Sequence, residues 1–462
     1  MDHALIFNAE LIKRYDTAGP RYTSYPTAVQ FHAGFGESEY LAEVAKTNQE
    51  QPQRPLSLYF HIPFCDTVCY YCGCNKIVTK NRSRAAPYLA TLYAEIKRQG
   101  ALFDRSRRVD QLHWGGGTPT FISHEQMREL MAVTRQHFTL RDDDSGEYSI
   151  ELDPREVHEG TLQLLRDIGF NRISMGVQDF EPKVQEAVNR LQSEARTLAV
   201  LQEARDLGFK SVNIDLIYGL PFQNVRTFST TLEKVISVNP DRLSVFNYAH
   251  LPELFKVQRQ INEADLPSAS EKLAILQMTI EQLTQAGYVY IGMDHFAKPD
   301  DELAIAQREG TLYRNFQGYS THADCDIVAM GATSISMVGD SYSQNVKTLD
   351  EYTARLESGQ LPVYRGVHLE QDDRLRRAVI TGLIAHFRLD KARIATQYGI
   401  DFDHYFAQEL GDLIGMAQDG LVALESEAIV VLPQGRLLIR NICMVFDRYL
   451  RERQHQRFSK VI

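Results

Sequence analysis

The sequence lacks an apolar run long enough to cross a membrane. A spanning helix needs roughly 18 to 20 apolar residues, whereas the most apolar stretches here, such as AVITGLIAHF, have the length of a core helix. The opening residues, MDHALIFNAE, are polar and acidic, where a secretory signal would begin basic and continue apolar. We therefore expect a cytoplasmic protein with no membrane span.

A surplus of positive charge is missing as well. Lys and Arg number 50 against 60 Asp and Glu, so the formal net charge is -10. A negative chain has no broad electrostatic attraction for nucleic acid or for an anionic membrane. We expect no nucleic-acid partner, and an anionic small molecule would need a local basic pocket.

Length and composition are those of a globular protein of more than one domain. The chain has 462 residues, of which 44% are hydrophobic and 10% aromatic, enough to bury a substantial core. Because single cores stop growing near roughly 250 to 300 residues, we expect two domains.

Strand-like and helix-like segments alternate through the first two thirds of the chain. Six short strand patterns, each followed by a helical pattern, are SLYFH, QLHW, EYSIE, NRISM, SVNID and RLSVF. This alternation is typical of an α/β fold with a parallel sheet, either an open doubly wound sheet or a full or partial barrel. We favour a (β/α)6 partial barrel of TIM type.

The two ends of the chain have a different character. Residues 1–50 lack the rhythm and contain the run RYTSYPT, so we expect an N-terminal arm or lid there. After about residue 350 the patterns turn helical, in DDRLRRAVITGLIAHF and QGRLLIRNICMVFDRYLRER, with AIVVLPQ as a lone strand. The predicted division is an arm at 1–50, a barrel domain at 51–365 and a mainly helical domain at 366–462.

Four of the six cysteines crowd between positions 65 and 74, a density that favours a metal site in a reducing compartment. Cys65, Cys69 and Cys72 have the spacing C-x3-C-x2-C, which suits three ligands on one face of a [4Fe-4S] cluster and leaves one iron open for catalysis. Cys74 follows Cys72 too closely to point the same way, so we give it a lesser role. A zinc site and a disulfide loop are the alternatives.

Other notable residues follow the predicted strands at the carboxyl end of the sheet, which is the active face of parallel barrels. The turn GGGTP follows the second strand and lets a ligand approach the backbone closely, while Glu151 and Asp215 end the third and fifth strands. Gln178 and Arg190 could add polar contacts. Single histidines such as His61 and His113 are more often packed than catalytic, so none is assigned a role.

The cysteine spacing after the first strand resembles that of the radical S-adenosylmethionine enzymes. The resemblance implies that the open iron chelates the methionine part of the cofactor, and that the glycine turn at Gly115 contacts its amino group. It also implies that one electron from the reduced cluster cleaves the sulfonium and produces a 5′-deoxyadenosyl radical, which abstracts hydrogen from the substrate.

A closer resemblance extends over nearly the whole chain. The segments RYTSYPTA, YFHIPFCDTVCYYCGCNK, HWGGGTPT, MGVQDF, NIDLIYGLP and MDHFA are similar to those of the oxygen-independent coproporphyrinogen III dehydrogenases of haem biosynthesis. The family resemblance implies oxidative decarboxylation of two propionates of coproporphyrinogen III to vinyl groups, which gives protoporphyrinogen IX. It further implies an electron donor, a terminal electron acceptor and two bound S-adenosylmethionine molecules. We expect a monomer.

The same resemblance assigns cofactor-binding positions. The expected contacts of the first cofactor and its neighbour are Tyr59, Gly115, Glu151, Gln178, Arg190, Asp215 and Ala249. Those expected near a second cofactor are Gly116, Gly117, Thr118, Phe316, Gln317 and Ile335. Arg21 in the arm is our candidate for binding a substrate carboxylate.

Two other functions remain in competition. A haem-binding chaperone related to this family would keep the cluster and barrel, but such relatives lack the RYTSYPT arm and usually the fourth cysteine, and this chain has both. An electron-transfer iron-sulfur protein would use four protein ligands instead of three.

Overall fold

The structure is a computed structural model and describes residues 5–452. The strands are β1 Leu56–Ile62, β2 Phe64–Cys65, β3 Ile77–Val78, β4 Arg108–Gly116, β5 Thr139–Leu140, β6 Glu147–Leu152, β7 Arg172–Gln178, β8 Ser211–Tyr218, β9 Arg242–Asn247, β10 Val289–Gly292, β11 His295–Ala297, β12 Tyr313–Asn315, β13 Gly318–Ser320, β14 Asp326–Met330, β15 Ile335–Val338, β16 Ser341–Asn345, β17 Val363–His368, β18 Arg388–Asp390, β19 Val422–Leu424 and β20 Ala428–Val431.

Helices make up most of the remaining regular structure. They are α1 Ala9–Tyr15, α2 Glu37–Glu50, α3 Ala85–Leu102, α4 His124–His137, α5 Thr161–Asp167, α6 Pro182–Ala187, α7 Glu194–Asp206, α8 Val225–Val238, α9 Ala269–Gln285, α10 Glu302–Glu309, α11 Leu349–Glu357, α12 Gln371–His386, α13 Lys391–Tyr398, α14 Phe402–Tyr405, α15 Ala407–Gln418, α16 Ile439–Met444 and α17 Arg448–Glu452. In the described part of the chain, no helix is long and apolar enough to span a bilayer.

One compact unit, formed by residues 31–268 and 324–368, contains the predicted barrel. Its strands β1, β4, β6, β7, β8 and β9 are neighbours in chain order and pair in parallel. A doubly wound sheet would reverse its strand order part-way. The absence of a reversal in this run confirms the partial TIM-type barrel, and β14 extends it in parallel on the other side of β1.

The barrel strands are held by a dense aromatic and aliphatic core. Strand β1 is buried along almost its whole length, as expected of a parallel strand covered on both faces. Trp114 of β4 is fully buried and packs edge to face on Phe170, with ring centroids 4.8 Å apart. The helix after β4 begins at Ser123, whose hydroxyl and the Gln126 side chain form a capping box. Local sequence signals therefore explain where this βα unit begins and ends.

The other compact unit comprises the described residues 5–30, 269–323 and 369–452. The prediction that AIVVLPQ forms a lone strand is wrong, because β20 pairs with β18 on one side and β19 on the other. Both partners are only three residues long, so they carry little periodic signal. The final amphipathic stretch is also not continuous. Asp447 accepts bonds from the backbone N–H groups of Tyr449 and Leu450, which starts α17 as a separate helix.

These two compact units divide the chain differently from the three predicted segments. The first 50 residues contain the helices α1 and α2, although the sequence pattern indicated an irregular arm. Helix α2 belongs to the barrel unit, where its Tyr40 is fully buried and donates to Gln99. The three-segment boundaries at 50 and 365 stay a prediction.

Candidate active site

The cysteine loop, residues 65–76, leaves β2 and returns to β3, and these two short strands pair in parallel. Hydrogen bonds from outside the loop hold it in place. The Asn189 side chain donates to the Val68 carbonyl at 2.7 Å, and the Tyr70 N–H donates to the Val188 carbonyl at 2.9 Å. Farther along, the Gln258 amide donates to the Tyr71 carbonyl at 3.0 Å. The loop is therefore anchored by segments that follow other strands of the barrel.

The thiols of this loop lie among hydrogen-bond donors and positive charges. The Thr118 hydroxyl is 3.6 Å from Cys65 Sγ, and the guanidinium groups of Arg155 and Arg190 are each 3.5 Å from Cys69 Sγ. Burial raises the pKa of Cys65 to about 11. Two guanidinium groups therefore lie beside Cys69 Sγ.

The pKa values of Cys72 and Cys74 are shifted in opposite directions. A hydrogen bond between the two thiols lowers the pKa of Cys72 to about 5 and raises the pKa of Cys74 well above its ordinary value. Lys76 adds a positive charge near Cys72 and donates to its carbonyl at 3.1 Å. Cys72 is thus the partner that is poised as a thiolate.

The glycine turn packs against the start of the cysteine loop too closely for side chains. A Cβ on Gly117 would lie 2.7 Å from the Phe64 carbonyl oxygen and 2.9 Å from the backbone of Pro63. Gly116 has a φ of +118° and would place a Cβ 2.7 Å from the His61 ring. Backbone bonds run from Gly117 to Ile62 and from Thr118 to Phe64. The three glycines therefore bring the turn into direct contact with the segment that carries Cys65.

Glu151 lies beside this turn and accepts two hydrogen bonds there. Its carboxylate is 3.2 Å from the Gly116 N–H and 3.4 Å from His113 Nε2. Desolvation alone would raise the pKa of Glu151, but the bonds from His113 and Gly116 outweigh it and hold the pKa below its usual value. Glu151 is therefore a carboxylate that can accept hydroxyl or amino donors from a ligand.

Tyr59 and His61 on β1 form a hydrogen-bonded pair next to Glu151. His61 Nε2 is 3.1 Å from the Asn75 carbonyl, which can only accept, so this nitrogen carries the proton. Burial lowers the pKa of His61, which keeps the ring neutral and leaves Nδ1 to accept from the Tyr59 hydroxyl at 3.2 Å. The pair ties β1 to the end of the cysteine loop at Asn75.

Arg190 is buried and connects several parts of the site. It donates to Asp153 at 2.9 Å and to the Gly176 carbonyl at 2.6 Å, in addition to its contact with Cys69. A Cβ on Gly176 would lie 2.8 Å from the Gln178 amide and 3.1 Å from Arg190. The predicted residues Gln178 and Arg190 are thus adjacent.

Asp215 lies inside β8, which continues to Tyr218, so the prediction that it ends this strand is wrong; its carboxylate lies within a polar group. It accepts from Ser174 at 2.9 Å and from Asn213 at 2.8 Å. Desolvation, reinforced by the nearby charge of Glu151, raises the pKa of Asp215 to about 6, against the opposing effect of these hydrogen bonds. Its interaction with Glu151 shows that the two predicted carboxylates share one neighbourhood.

Four further predicted positions lie on other segments of the chain. The carbonyl of Ala249 accepts from Gln258, which also binds the cysteine loop at Tyr71. Ile335 begins β15 and is partly buried. Phe316 and Gln317 form the turn between β12 and β13, in the unit that contains residues 269–323.

The chain is similar to known proteins over nearly its whole length. The Radical SAM superfamily profile matches residues 59–235, and the HemN C-terminal domain profile matches residues 369–438. The oxygen-independent coproporphyrinogen III oxidase of Pseudomonas aeruginosa is 56% identical over 99% of both chains. That of Escherichia coli is 54% identical over 98% of both. The chain belongs to the oxygen-independent coproporphyrinogen III oxidases.

Structural comparison agrees with this family assignment. The crystallised coproporphyrinogen III oxidase (HemN) from Escherichia coli, described as a radical SAM enzyme, superposes with a TM-score of 0.92 and 52% identity, covering 97% of this chain and all of the other. The predictions of a radical S-adenosylmethionine oxidase with a [4Fe-4S] cluster, and of the partial barrel with a helical C-terminal domain, are confirmed. The chaperone reading is not favoured.

The donor set of the cysteine loop is compatible with this cofactor. Cys65, Cys69 and Cys72 offer three thiols, and the Thr118 hydroxyl and the guanidinium groups of Arg155 and Arg190 lie beside two of them.

Several residues of the candidate site were not anticipated from the sequence. Asp153 and Arg155 come just after β6, so their place after a barrel strand was a usable signal. His113 on β4 pairs with Ser149 on β6, two residues before Glu151. Only the register of these two strands shows that His113 lies next to Glu151. Gln258 gave no signal, because its role depends on the fold of the segment after β9.

Proposed function

We propose that Cys65, Cys69 and Cys72 hold the [4Fe-4S] cluster and that the surrounding pocket binds S-adenosylmethionine for the oxidation of coproporphyrinogen III. One observation carries the proposal. The glycine turn contacts both the segment that bears Cys65 and the carboxylate of Glu151, at one end of the parallel strands. In this reaction two propionates become vinyl groups and the product is protoporphyrinogen IX. Each propionate loses a hydrogen atom, CO2 and one further electron, so an external acceptor must take that electron.

The protein has to orient and shield the reactive groups. When bound, the cluster and S-adenosylmethionine supply a radical able to remove hydrogen from an unactivated carbon. Arg155 and Arg190 place their guanidinium groups against Cys69 Sγ and so hold this part of the cysteine loop. Cys74 is left out of the ligand set because it follows Cys72 by only two residues and the C-x3-C-x2-C spacing already supplies three ligands.

The remaining polar groups suit an amino acid and a ribose. The carboxylates of Glu151 and Asp215 can accept hydrogen bonds from amino and hydroxyl groups, and Gln178 can both donate and accept. Tyr59 and Ala249 contribute a ring and a backbone surface near the cysteine loop. The same proposal includes a second S-adenosylmethionine near Gly116, Gly117, Thr118, Phe316, Gln317 and Ile335.

The cellular setting completes the proposal. The enzyme works as a cytoplasmic monomer, receives electrons from a separate donor and passes electrons to a terminal acceptor. These features come from the sequence composition and the family resemblance, and the absence of a spanning helix in residues 5–452 is compatible with them.

The test is a turnover assay without oxygen on the full chain with reconstituted cluster. Coproporphyrinogen III, S-adenosylmethionine, a reductant and an electron acceptor are added, and 5′-deoxyadenosine and protoporphyrin are measured after oxidation. We expect both products from the wild type and neither from Cys69→Ser.

Cys443→Ser is the matched control, because Cys443 lies outside the cysteine loop, is buried in α16 and has its thiol 3.8 Å from the carbonyl of Ile380. This variant should keep both products. Cofactor cleavage without porphyrin conversion, or tight haem binding in place of turnover, would overturn the assigned reaction. Full activity of Cys69→Ser would overturn the ligand assignment.

A further inference from the structure

Three arginines and an aspartate meet in the unit made of residues 5–30, 269–323 and 369–452. We call Arg21, Arg314, Arg440 and Asp294 the arginine cluster. Arg21 Nη1 donates to Asp294 Oδ2 at 2.9 Å. Arg440 reaches back to the arm and donates to the carbonyls of Gly19 and Pro20. The RYTSYPT segment is therefore joined to the C-terminal helices and to the β10–β11 hairpin at this point.

Arg314 has two buried N–H donors that make no hydrogen bond within residues 5–452. It lies on β12 with only 7% of its surface exposed, and its guanidinium covers the Tyr319 ring at 4.8 Å. Among residues 5–452, its Nε and Nη1 atoms have no hydrogen-bond partner. Leaving buried donors of a charged group unsatisfied is costly, so native proteins retain them chiefly where a ligand or water completes the bonding.

The arginine cluster contains three guanidinium groups and one carboxylate, that of Asp294, whose side chain pairs with Arg21. Burial lowers the pKa of Arg440 to about 10, and the positive charges of Arg21 and Arg314 add to the effect. Arg440 is therefore repelled by the charges of both other arginines, and a bound anion would reduce this repulsion.

We propose that the arginine cluster binds a carboxylate, and that its ligand is a propionate of coproporphyrinogen III. Arg314 Nε and Nη1, which have no partner among residues 5–452, can each donate a charge-assisted hydrogen bond to a carboxylate oxygen. Arg21 is partly exposed and can turn between Asp294 and a ligand. The inference rests on the proposed function, because that function supplies a substrate rich in carboxylates.

The first experiment measures binding of oxidised coproporphyrin III, which is not turned over, to the full chain with reconstituted cluster. A Soret-band titration gives the Kd for the wild type, Arg314→Gln and Arg21→Gln. We expect Arg314→Gln to raise the Kd about tenfold or more, since a hydrogen bond to a charged group contributes about 1.5 to 3 kcal/mol. Arg21→Gln should raise it less, because Arg21 already pairs with Asp294.

The matched control is Arg388→Gln, an exposed arginine of β18 that pairs with the exposed Glu425. Its Kd should equal that of the wild type. Reductive cleavage of S-adenosylmethionine without substrate is measured in every variant, and it should not change in Arg388→Gln. Because this measurement does not need the porphyrin, it shows whether each variant is folded and contains its cluster.

The outcomes separate the two proposals. If the wild type neither binds coproporphyrin III nor converts the porphyrinogen, the proposed function fails. If the wild type does both and neither Arg314→Gln nor Arg21→Gln weakens porphyrin binding, the carboxylate site is refuted and the function stands. A third arm adds inorganic phosphate. Stabilisation of the wild type by phosphate but not of Arg314→Gln, with unchanged porphyrin binding, would mean a general anion site and would also refute the assignment.

Discussion

Glu95 is a buried carboxyl on α3 that is surrounded by donors. It accepts from the Gly331 N–H and the Asn345 amide, each at 2.7 Å, and from the Tyr352 hydroxyl. Burial nevertheless dominates and raises the pKa of Glu95 to about 7. Glu95 thus connects α3 to the turn before β15. Its ionised form is disfavoured because the carboxylate is removed from water.

This residue should make stability depend on pH. A carboxyl with a raised pKa holds its proton more tightly in the folded state, so its contribution to stability falls as pH rises from about 4.5 to about 7. The loss amounts to about 3 kcal/mol. Glu95→Gln stays neutral, and the wild type should therefore lose about 3 kcal/mol relative to this variant between pH 5 and 8.

Urea unfolding of the cluster-free chain at several pH values measures this difference. Glu357→Gln, at the exposed end of α11, is the control. A difference between wild type and Glu95→Gln that does not vary with pH would contradict the prediction.

Arg155 and Arg190 allow a comparison of two arginines with shared partners. Both contact Cys69 Sγ and Asp153, but the side chain of Arg190 is 7% exposed and that of Arg155 is 21% exposed. Arg190 also holds the Gly176 carbonyl. We expect Arg190→Gln to cost about 3 kcal/mol of unfolding free energy and Arg155→Gln about 1 kcal/mol, since breaking a buried pair costs more than breaking a partly exposed one. Equal losses in chemical denaturation would show that burial does not set their contributions.

At the scale of elements, the glycine turn after β4 and the start of the cysteine loop form one packed unit. Gly117→Ala would force a Cβ against the Phe64 carbonyl at 2.7 Å and push the turn away from Cys65. We expect a destabilisation of about 1 to 3 kcal/mol and a clear drop in iron bound per chain after reconstitution. Iron analysis together with denaturation measures both effects.

The control for this change is Gly411→Ala in α15, where an added Cβ meets nothing within 4 Å. Alanine is favoured over glycine inside a helix, so this variant should gain about 0.5 to 1 kcal/mol and keep its iron. Normal iron content in Gly117→Ala would mean that the turn can move without disturbing the cysteine loop.

The elements also show where local patterns succeed and fail. The six parallel strands were predictable because each carries a buried run of several residues followed by a helix signal. Strands β18 and β19 have only three residues each and owe their existence to pairing with β20. Helix α2 was missed, although its face with Tyr40 and Val44 is buried, because the flanking irregular run masked its pattern.

For the molecule as a whole, we predict a monomer of 52.7 kDa. Stable interfaces bury roughly 1,200 to 2,000 Å² around an apolar centre. In the described part of the chain, the exposed large apolar side chains are few and distant in sequence: Ile6, Val29, Leu41, Val78, Leu191, Leu254, Tyr405 and Ile414. Sedimentation of the anaerobic protein should give the monomer mass at micromolar concentration, and a stable species of twice that mass would contradict this expectation.

The sequence by itself determined the barrel strands, the cysteine spacing, the glycine turn and the place of Glu151 near the end of its strand. These features depend on residues close together in the chain, and periodicity and spacing express such local relations directly. Tertiary structure alone decided that Arg155 and Arg190 flank Cys69, and that Arg440 binds the carbonyl of Pro20 across 420 residues of sequence. Contacts of this kind arise from the packing of distant segments, where charge and burial become known only after the chain has folded.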